Sequence, residues 1–564
     1  MRFLFSKENA TTPSKVILIC TLIISIFFSI GIGNRRFANP DEGRYVEIAR
    51  EMAESGDYVT PRLNGVKYFE KPPLFYWLEA ASIKLMGIDF AKSRIVQCSL
   101  AVLGCLFLMI AAFKAYNLST AVLSGGVLST TLLYYIQSRF INLDLSLSVF
   151  MSASLWCYFL AMVKTCNIKR KWLLFGFYIF AALAVLSKGL VGVILPGLVI
   201  FVWLILNGQS LKQKLQTVMT SLYIPGIMAF LLIAVPWHVI CAQRNPGFAY
   251  FYLIYEHFVR YASLEHMRYQ PVWFFCPILL IALIPWTGIC CMALKQSIRE
   301  RRSDNLFLLS WICSIFVFFS FSNSKLIPYI LPIFPPIALL TGRLLTNYID
   351  GLNIKDVRIG FLSSIGIIVA AAIGGFLFKD LVAGALIPES IMLICVLACV
   401  FLFLLIGAML LEYCIKDDEL KRSFQVLLFL FSACNVMFLI NRIAVFYQDD
   451  RKPSTYEISQ AIKYNLTPGT EVFVYYHCYY DLCVFLKHTI GCIDHLGELE
   501  FGTKAEDHSD RFLGCEAFVD KFKNAKNRIF VCIARNEFDR FCNFFKCEYR
   551  ILEVTKDFVL IINR

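Results

Sequence analysis

Four charged residues near the start of the chain have types and spacing suited to phosphate chemistry. Asp41 and Arg44 lie in NPDEGRYVEIAREM, directly after a long apolar run, and Glu70 and Lys71 lie in VKYFEKPPLFYWLEA. Because two prolines follow Lys71, this lysine is expected just before a helix start, where backbone N–H groups favour an anion. Carboxylates mixed with cations suit a site where a phosphate leaving group departs. The structural alternative is a lysine that only reaches the membrane surface and a glutamate that caps the helix.

The stretch that contains Asp41 and Arg44 also predicts an ordinary amphipathic helix. Asn39 suits the capping position and Pro40 the first helical position. Apolar residues at helical spacing predict a buried face made of Tyr45, Ile48, Ala49 and Met52. Charged residues predict a wet face made of Glu47, Arg50, Glu51 and Glu54. This stretch by itself therefore leaves a surface helix and a reaction site equally open.

Further polar residues lie inside or beside apolar runs, where charges are costly and usually functional or paired. They are Arg139, Asp144, Lys188, Glu256, His257 and Lys325. Each has a structural alternative: an ion pair between Arg139 and Asp144, lysines that reach the interface, and an interfacial histidine with satisfied hydrogen bonds. The sequence position of each residue does not decide between these alternatives.

Composition identifies a polytopic α-helical membrane protein. With 58% hydrophobic and 17% charged residues in 564, too little polar surface remains for one soluble globule. Apolar stretches recur from residue 15 to about residue 442, and lysine and arginine clusters between them place the amino terminus in the cytoplasm. About thirteen spans follow, and the polar residues above then share the non-cytoplasmic face. The net charge of +13 largely reflects this topology, so nucleic acid is not an expected partner.

The sequence predicts a membrane domain of residues 1–442, which includes a first external loop of residues 34–94. Residues 443–564 are predicted to form a small α/β domain on the same non-cytoplasmic face. Its β-rich runs are TEVFVYYHCYYDLCVFLK, NRIFVCIA and DFVLIINR. Seven of the 21 cysteines lie in this segment. An odd number without metal-like spacing supports no specific disulfide bridge.

The motifs of the first loop, together with SKGLVGVILPG, PWH, YEHFVRY and SKLIPYILPIFPP, closely resemble the bacterial lipid A aminoarabinose transferases. These are polyprenyl-phosphate-dependent glycosyltransferases of the GT-C type. The resemblance covers most of the membrane region and is weak in the carboxy-terminal domain. It implies a multi-pass inner-membrane enzyme whose active site faces the periplasm. Such an enzyme moves 4-amino-4-deoxy-L-arabinose or a hexosamine from undecaprenyl phosphate to a phosphate of lipid A.

The resemblance also implies residue roles. Asp41, Glu70 and Lys71 match the catalytic elements of the family. The expected substrate-binding residues are Arg44, Arg139, Asp144, Glu256, His257, Lys325 and Tyr329. A lipid A phosphate is already largely ionised near neutral pH, so a strong general base is not essential. Lys71, Arg44 and Arg139 are then expected to stabilise the leaving polyprenyl phosphate, and direct displacement predicts inversion at the anomeric carbon.

Two other functions compete with this one. A polyprenyl-phosphate-dependent protein O-mannosyltransferase shares the early Asp-Glu element, and its hydroxyl acceptor would require Asp41 as a true base. A transporter or flippase should show paired polar sites near mid-membrane and repeated halves, which this sequence lacks. No cofactor is required by the sequence. A divalent cation is one option, held by Asp41, Glu70 and His257 if they converge, and the sequence assigns no metal ligand.

Overall fold

The computed structural model describes residues 12–164, 168–259, 270–377, 407, 415–451 and 454–563. The described residues form two compact units. One unit comes from residues 1–31, 97–239 and 253–443, and the other from residues 32–96, 240–252 and 444–564. The first external loop therefore folds together with the carboxy-terminal segment.

Helices dominate the described residues up to residue 451. They are α1 (Pro13–Ser29), α2 (Asp41–Ser55), α3 (Leu74–Met86), α4 (Ile95–Ala115), α5 (Leu118–Ser129), α6 (Leu132–Gln137), α7 (Leu143–Tyr158), α8 (Arg170–Lys188), α9 (Val191–Leu206), α10 (Leu211–Ser221), α11 (Ile224–Arg244), α12 (Phe275–Ala282), α13 (Thr287–Glu300), α14 (Ser303–Ser320), α15 (Phe334–Ile349), α16 (Ile354–Leu377) and α17 (Asp418–Arg451). Short 3₁₀ or π segments join them at Lys92–Arg94, Phe159–Val163, Tyr250–Val259, Val272–Phe274 and Ile327–Ile333.

Among the described residues, seven helices are long and apolar enough to cross a membrane. A further pair, Val272–Ala282 with Thr287–Glu300, is bent by 115° and is long enough when taken together. Shorter apolar helices occupy Pro13–Ser29, Leu118–Ser129 and Val191–Leu206. The chain is thus a multi-pass membrane protein. The predicted number of about thirteen spans stays a prediction, because part of the region in question, residues 378–406 and 408–414, lies outside the described residues.

In the first loop, β1 (Arg62–Leu63) and β2 (Val66–Lys67) form a two-stranded antiparallel sheet. A mixed six-stranded sheet forms the core of the carboxy-terminal segment. Its strands are β3 (Glu471–Tyr475), β4 (Gly491–Ile493), β5 (Phe512–Leu513), β6 (Ile529–Ala534), β7 (Arg550–Val554) and β8 (Phe558–Ile562), in the order β5-β4-β3-β6-β8-β7. The pairings β5–β4, β4–β3 and β3–β6 are parallel, whereas β8 is antiparallel to β6 and β7. The helices are α18 (Tyr456–Asn465), α19 (Tyr480–Leu486), α20 (Glu500–Ala505), α21 (Cys515–Lys523) and α22 (Phe538–Phe544). Phe518 and Phe541 pack on Phe473 and Val531 of the sheet.

The predicted strands of this segment are confirmed in part. β3, β6 and β8 lie within the three β-rich runs, but Tyr480–Leu486 of the first run is a helix. The reason is topological, because β3 and β4 are parallel and need a crossover between them. Cys478 and Cys492, which the sequence could not pair, form a disulfide bridge with a Cα–Cα distance of 6.4 Å.

The wet face predicted for α2 is wrong in two positions. Glu47 and Arg50 are buried and hydrogen-bond each other, with Arg50 Nε 2.8 Å from Glu47 Oε2. The helix α19 packs against α2, so the side expected to face water is covered. Arg50 also pairs with Glu54. The predicted apolar face is confirmed, because Ile48 and Met52 are buried.

Candidate active site

Asp41 and Arg44 lie in the first turn of α2. Contacts with Asp481, which the sequence did not predict, hold this turn in place. Pro40 occupies the capping position without a side-chain hydrogen bond, so the prediction that Asn39 caps the helix is wrong. The side chain of Asn39 instead hydrogen-bonds the buried carboxylate of Asp481. A Cβ on Gly43 would lie 2.5 Å from the backbone nitrogen of Asp481, so glycine permits this close approach.

Glu42 and Arg94 tie the same helix start to the end of the first loop. The buried guanidinium of Arg94 donates to both carboxylate oxygens of Glu42, at 2.9 and 2.8 Å, and to the carbonyls of Arg35 and Arg36. Burial opposes ionisation of Glu42, but Arg35 and Arg94 outweigh it and lower its pKa to about 2. Glu42 thus stays charged and structural, beside an Asp41 that is 43% exposed.

Arg44 lies between two carboxylates. Its Nη2 atom is 3.5 Å from Oδ1 of Asp41, and its Nε atom is 2.9 Å from Oε1 of Glu498. Glu498 comes from the carboxy-terminal segment, and it also accepts a hydrogen bond from Tyr480. Burial raises the pKa of Glu498 to about 7 although Arg44 opposes this rise, and the charge of Glu70 adds to it. Glu498 therefore titrates near neutral pH.

Two tyrosines beside this cluster have free hydrogen-bonding capacity. The hydroxyls of Tyr68 and Tyr76 are buried, and neither makes a hydrogen bond to any described residue. Burial raises both pKa values well above the usual range, so both hydroxyls are neutral donors near Arg44 and Glu70. Because buried polar groups are normally paired, these two hydroxyls are available to donate hydrogen bonds to a ligand.

Glu70 and Lys71 stand where the sequence predicted them, directly before a helix. The helix α3 begins at Leu74 after the two prolines. Lys71 folds back, and its Nζ atom donates to the carbonyl of Glu70 at 2.7 Å. Both side chains are only half-buried. The arrangement leaves a cation and a carboxylate at the surface of the same unit that carries Asp41 and Arg44.

Asp144, Lys188 and Tyr329 meet in the other unit. Asp144 lies in the first turn of α7, Lys188 ends α8, and the two side chains form an ion pair. Each charge complements the dipole of its own helix end. The Lys188 ammonium also lies 4.6 Å from the ring centroid of Tyr329. The sequence analysis offered an ion pair between Arg139 and Asp144 as the structural alternative. In the structure, Asp144 pairs with Lys188 instead.

Arg139 is mostly occupied by backbone carbonyls. It is buried, donates to the carbonyls of Phe28 and Ile30 at the end of α1, and contacts Oδ1 of Asn441 at 3.2 Å. Its guanidinium lies 4.9 Å from the ring centroid of Tyr135. These contacts give Arg139 a structural function at the end of α1, and its role in substrate binding stays a prediction.

Lys325, Glu256 and His257 complete the predicted set. The Nζ atom of Lys325 donates to the carbonyls of Gln270 and Ser322, at 2.7 and 2.6 Å, in the short segment before Ile327–Ile333. Glu256 lies in the π-helical segment Tyr250–Val259 and is half-buried. The side chain of His257 lies outside the described part of the structure.

The predicted metal option gains no support from geometry. Within the residues that the structure describes, no three His, Cys, Asp or Glu side chains are placed to hold a metal ion. Asp41 has Arg44 as a neighbour instead. The predicted role of His257 is not tested by this search.

Glu498, Tyr480 and Asp481 are the site residues that the sequence analysis missed. They lie in the segment where the family resemblance is weakest, and no local pattern sets them apart from other polar residues of a small domain. An indirect signal was Gly43, a glycine inside an otherwise regular helix, which often marks close packing.

The fold is that of a GT-C glycosyltransferase. A crystal structure of ArnT from Cupriavidus metallidurans bound to undecaprenyl phosphate matches with a TM-score of 0.81 and 25% identity over 98% of both chains. The apo structure of the same protein matches with a TM-score of 0.80. Residues 16–252 match the family model of dolichyl-phosphate-mannose-protein mannosyltransferases.

Curated relatives carry the name that the sequence motifs indicated. The undecaprenyl phosphate-α-4-amino-4-deoxy-L-arabinose arabinosyl transferase of Yersinia enterocolitica is 30% identical over 364 residues, which cover 62% of this chain and 64% of the relative. Arabinosyl transferase 1 of Proteus mirabilis is 32% identical over 338 residues, 60% of each chain. The matched segments thus span less than two thirds of these relatives. The resemblance to the lipid A aminoarabinose transferases is confirmed.

Proposed function

We propose that this chain is an inner-membrane glycosyltransferase that moves an amino sugar from undecaprenyl phosphate to a phosphate group of lipid A, with inversion, on the periplasmic face. The sugar is 4-amino-4-deoxy-L-arabinose or a hexosamine. The observation that carries the proposal is the similarity, over 98% of both chains, to an ArnT structure bound to undecaprenyl phosphate. The disulfide between Cys478 and Cys492 supports the periplasmic side, because such bridges persist in oxidising compartments.

Departure of the polyprenyl phosphate is the demanding step, and the first loop supplies its cations. Arg44 is held between Asp41 and Glu498, so it is already oriented before substrate arrives. Lys71 is half-buried beside the start of α3 and adds a second positive charge. A cation fixed in advance stabilises the charge that develops on the leaving phosphate without reorganisation.

Asp41 has a different task, because the acceptor phosphate is largely ionised without a base. Its carboxylate is 43% exposed and lies 3.5 Å from Arg44. In our proposal it orients the acceptor, removes any proton left on it, or binds the ammonium group of the sugar. The unpaired hydroxyls of Tyr68 and Tyr76 contribute hydrogen bonds to the sugar.

The test is expression in a Gram-negative strain that lacks its own lipid A glycosyl modification, followed by mass spectrometry of lipid A. We expect a pentosamine or hexosamine adduct on a phosphate, and a loss of about 10²-fold or more in the Asp41→Asn variant. The matched control is Glu54→Gln, which removes an exposed carboxylate from the same helix and should keep the adduct.

Unmodified lipid A from a correctly inserted protein supplied with both donor lipids would reject the proposal. It would favour the protein O-mannosyltransferase alternative, to which the match of residues 16–252 also relates. We further propose that transfer requires no metal cofactor. Loss of activity on chelation with EDTA, restored by added Mg²⁺, would contradict this and indicate a divalent cation.

A further inference from the structure

The short helix α10 has its polar and apolar sides reversed relative to a helix on a water-soluble surface. Its apolar residues point outward: Leu211 is 74% exposed, Leu215 56% and Met219 69%. Val218 and the following Leu222 are exposed too. With 3.6 residues per turn, these side chains form one stripe roughly 100° wide along the helix. Helices on a water-soluble surface turn such a stripe inward.

The half-buried residues of α10 are all polar: Lys214, Thr217, Thr220 and Ser221. The hydroxyl of Tyr158 lies 3.1 Å from the hydroxyl of Ser221, and Tyr178 donates to the carbonyl of Ser221 at 2.8 Å. Lys214 donates to the carbonyl of Ile205, near the end of α9. These bonds attach Lys214 and the last turn of α10 to neighbouring helices on the side away from the apolar stripe.

Position along the chain places α10 at a membrane surface. It connects α9, a short apolar helix, to α11, a helix long and apolar enough to span a bilayer. A capping box between Ser210 and Gln213 starts the helix immediately after the loop that follows α9. The medium next to the apolar stripe is therefore the boundary between headgroups and acyl chains, where such helices lie.

The charge of α10 and its flanking residues also suits a membrane surface. The segment from residue 207 to residue 223 contains two charged residues, Lys212 and Lys214, and no carboxylate. On a helical projection the two lysines lie on opposite borders of the apolar stripe. Lysines at such borders extend their stems along the apolar surface and reach phosphate groups with their ammonium ends.

We propose that α10 is an interfacial anchor that binds anionic phospholipid. Its apolar stripe inserts among the acyl chains of the adjacent leaflet, and Lys212 binds the headgroup phosphates. Lys214 binds them too, through the two N–H donors that the carbonyl of Ile205 does not take. This assigns a lipid-binding surface to a part of the chain remote in sequence from Asp41 and Arg44, and it does not depend on the transferase activity.

The first test measures insertion in the full-length protein reconstituted in phosphatidylcholine vesicles containing phosphatidylglycerol. A fluorescent amino acid replaces Met219 in one sample and Gln216, on the polar side, in the other. Lipids brominated on the acyl chains should quench the probe at position 219 at least twice as strongly as the probe at position 216. Aqueous iodide should show the opposite order.

The second test measures the headgroup preference as enrichment of phosphatidylglycerol over phosphatidylcholine around the purified protein. Each lysine should raise the phosphatidylglycerol preference about fivefold, so the preference of the Lys212→Gln/Lys214→Gln variant should be clearly lower than that of the wild type. Added salt should reduce the wild-type preference. The matched control, Lys523→Gln/Lys526→Gln in the carboxy-terminal domain, should change nothing.

Either of two results would overturn the proposal. One is a probe at position 219 that iodide quenches more than acyl-chain bromine does, or that neither quencher reaches, because the stripe then faces water or protein. The other is an unchanged phosphatidylglycerol preference in the α10 lysine variant while the protein keeps its thermal stability.

Discussion

Replacement of Glu498 by glutamine tests whether the carboxy-terminal segment takes part in the reaction through Arg44. The substitution keeps the shape and an acceptor atom but removes the charge that lies 2.9 Å from Arg44 Nε. Both side chains are mostly buried, with 20% of Glu498 and 11% of Arg44 exposed, so solvent screens the pair weakly. A close ion pair that solvent screens weakly contributes about 1.5–3 kcal/mol, the lower end of the range measured for close charge pairs. If Arg44 stabilises the leaving phosphate, kcat/KM should fall roughly 10- to 150-fold, mainly through kcat.

The pH dependence provides a sharper signature than the rate alone. Burial raises the pKa of Glu498 to about 7, so the fraction of enzyme with an ionised Glu498 grows as pH rises through 7. Wild-type activity should therefore show a rising limb near pH 7 that the Glu498→Gln variant lacks. Glu500→Gln, an exposed acid on the next helix, is the control that should keep this limb.

The Glu498→Gln substitution should lower activity without lowering thermal stability. Because the folded-state pKa of Glu498 is raised, its contribution to stability is present at low pH and is lost as pH rises from about 4.5 through about 7. Glutamine avoids this loss, so the variant's melting temperature at pH 8 should equal or exceed that of the wild type. A variant with near wild-type kcat/KM, or one whose activity loss merely follows a lower melting temperature, would refute the role of Glu498.

Three further substitutions test other contacts. Asn39→Asp places a second carboxylate against buried Asp481 and should reduce activity at least tenfold, whereas the exchanged pair Asn39→Asp/Asp481→Asn should recover most of it. Glu51→Gln should raise the melting temperature at pH 9 more than at pH 6, because burial and Glu47 raise the pKa of Glu51 to about 8 and its ionisation then opposes folding. Lys188→Met leaves Asp144 without its ion-pair partner and should cost about 3–5 kcal/mol of unfolding free energy, which Asp144→Asn should restore without restoring transfer.

Each of these expectations has a clear contrary outcome. Equal losses in the Asn39→Asp variant and the exchanged pair, measured as lipid A adduct per inserted protein, would remove the specific role of that contact. A pH-independent change in melting temperature for Glu51→Gln would contradict the assigned ionisation. Recovery of full transfer by the Lys188→Met/Asp144→Asn pair would show that this ion pair is structural alone.

Local sequence patterns predicted the elements that depend on neighbours in the chain. The double proline placed the start of α3, and apolar spacing identified the buried face of α2 around Ile48 and Met52. Continuous β-branched and aromatic runs located β3, β6 and β8. The sequence also placed Asp41 and Arg44 in one helical stretch, where the structure has them at the start of α2.

Only the tertiary structure decided which distant groups became partners. Asn64 hydrogen-bonds the backbone of Ile490 across 426 residues, and Arg44 and Asn39 find Glu498 and Asp481 in the same segment. The spacing of apolar residues along the chain carries no information on such pairs. It shows which side of a helix or strand is buried, but not which other element covers that side. The sequence by itself thus determined a membrane protein and supplied the charged residues that we propose for phosphate chemistry. Packing of the carboxy-terminal segment against the first loop decided how Asp41 and Arg44 are held, since burial and hydrogen bonding depend on every element around them.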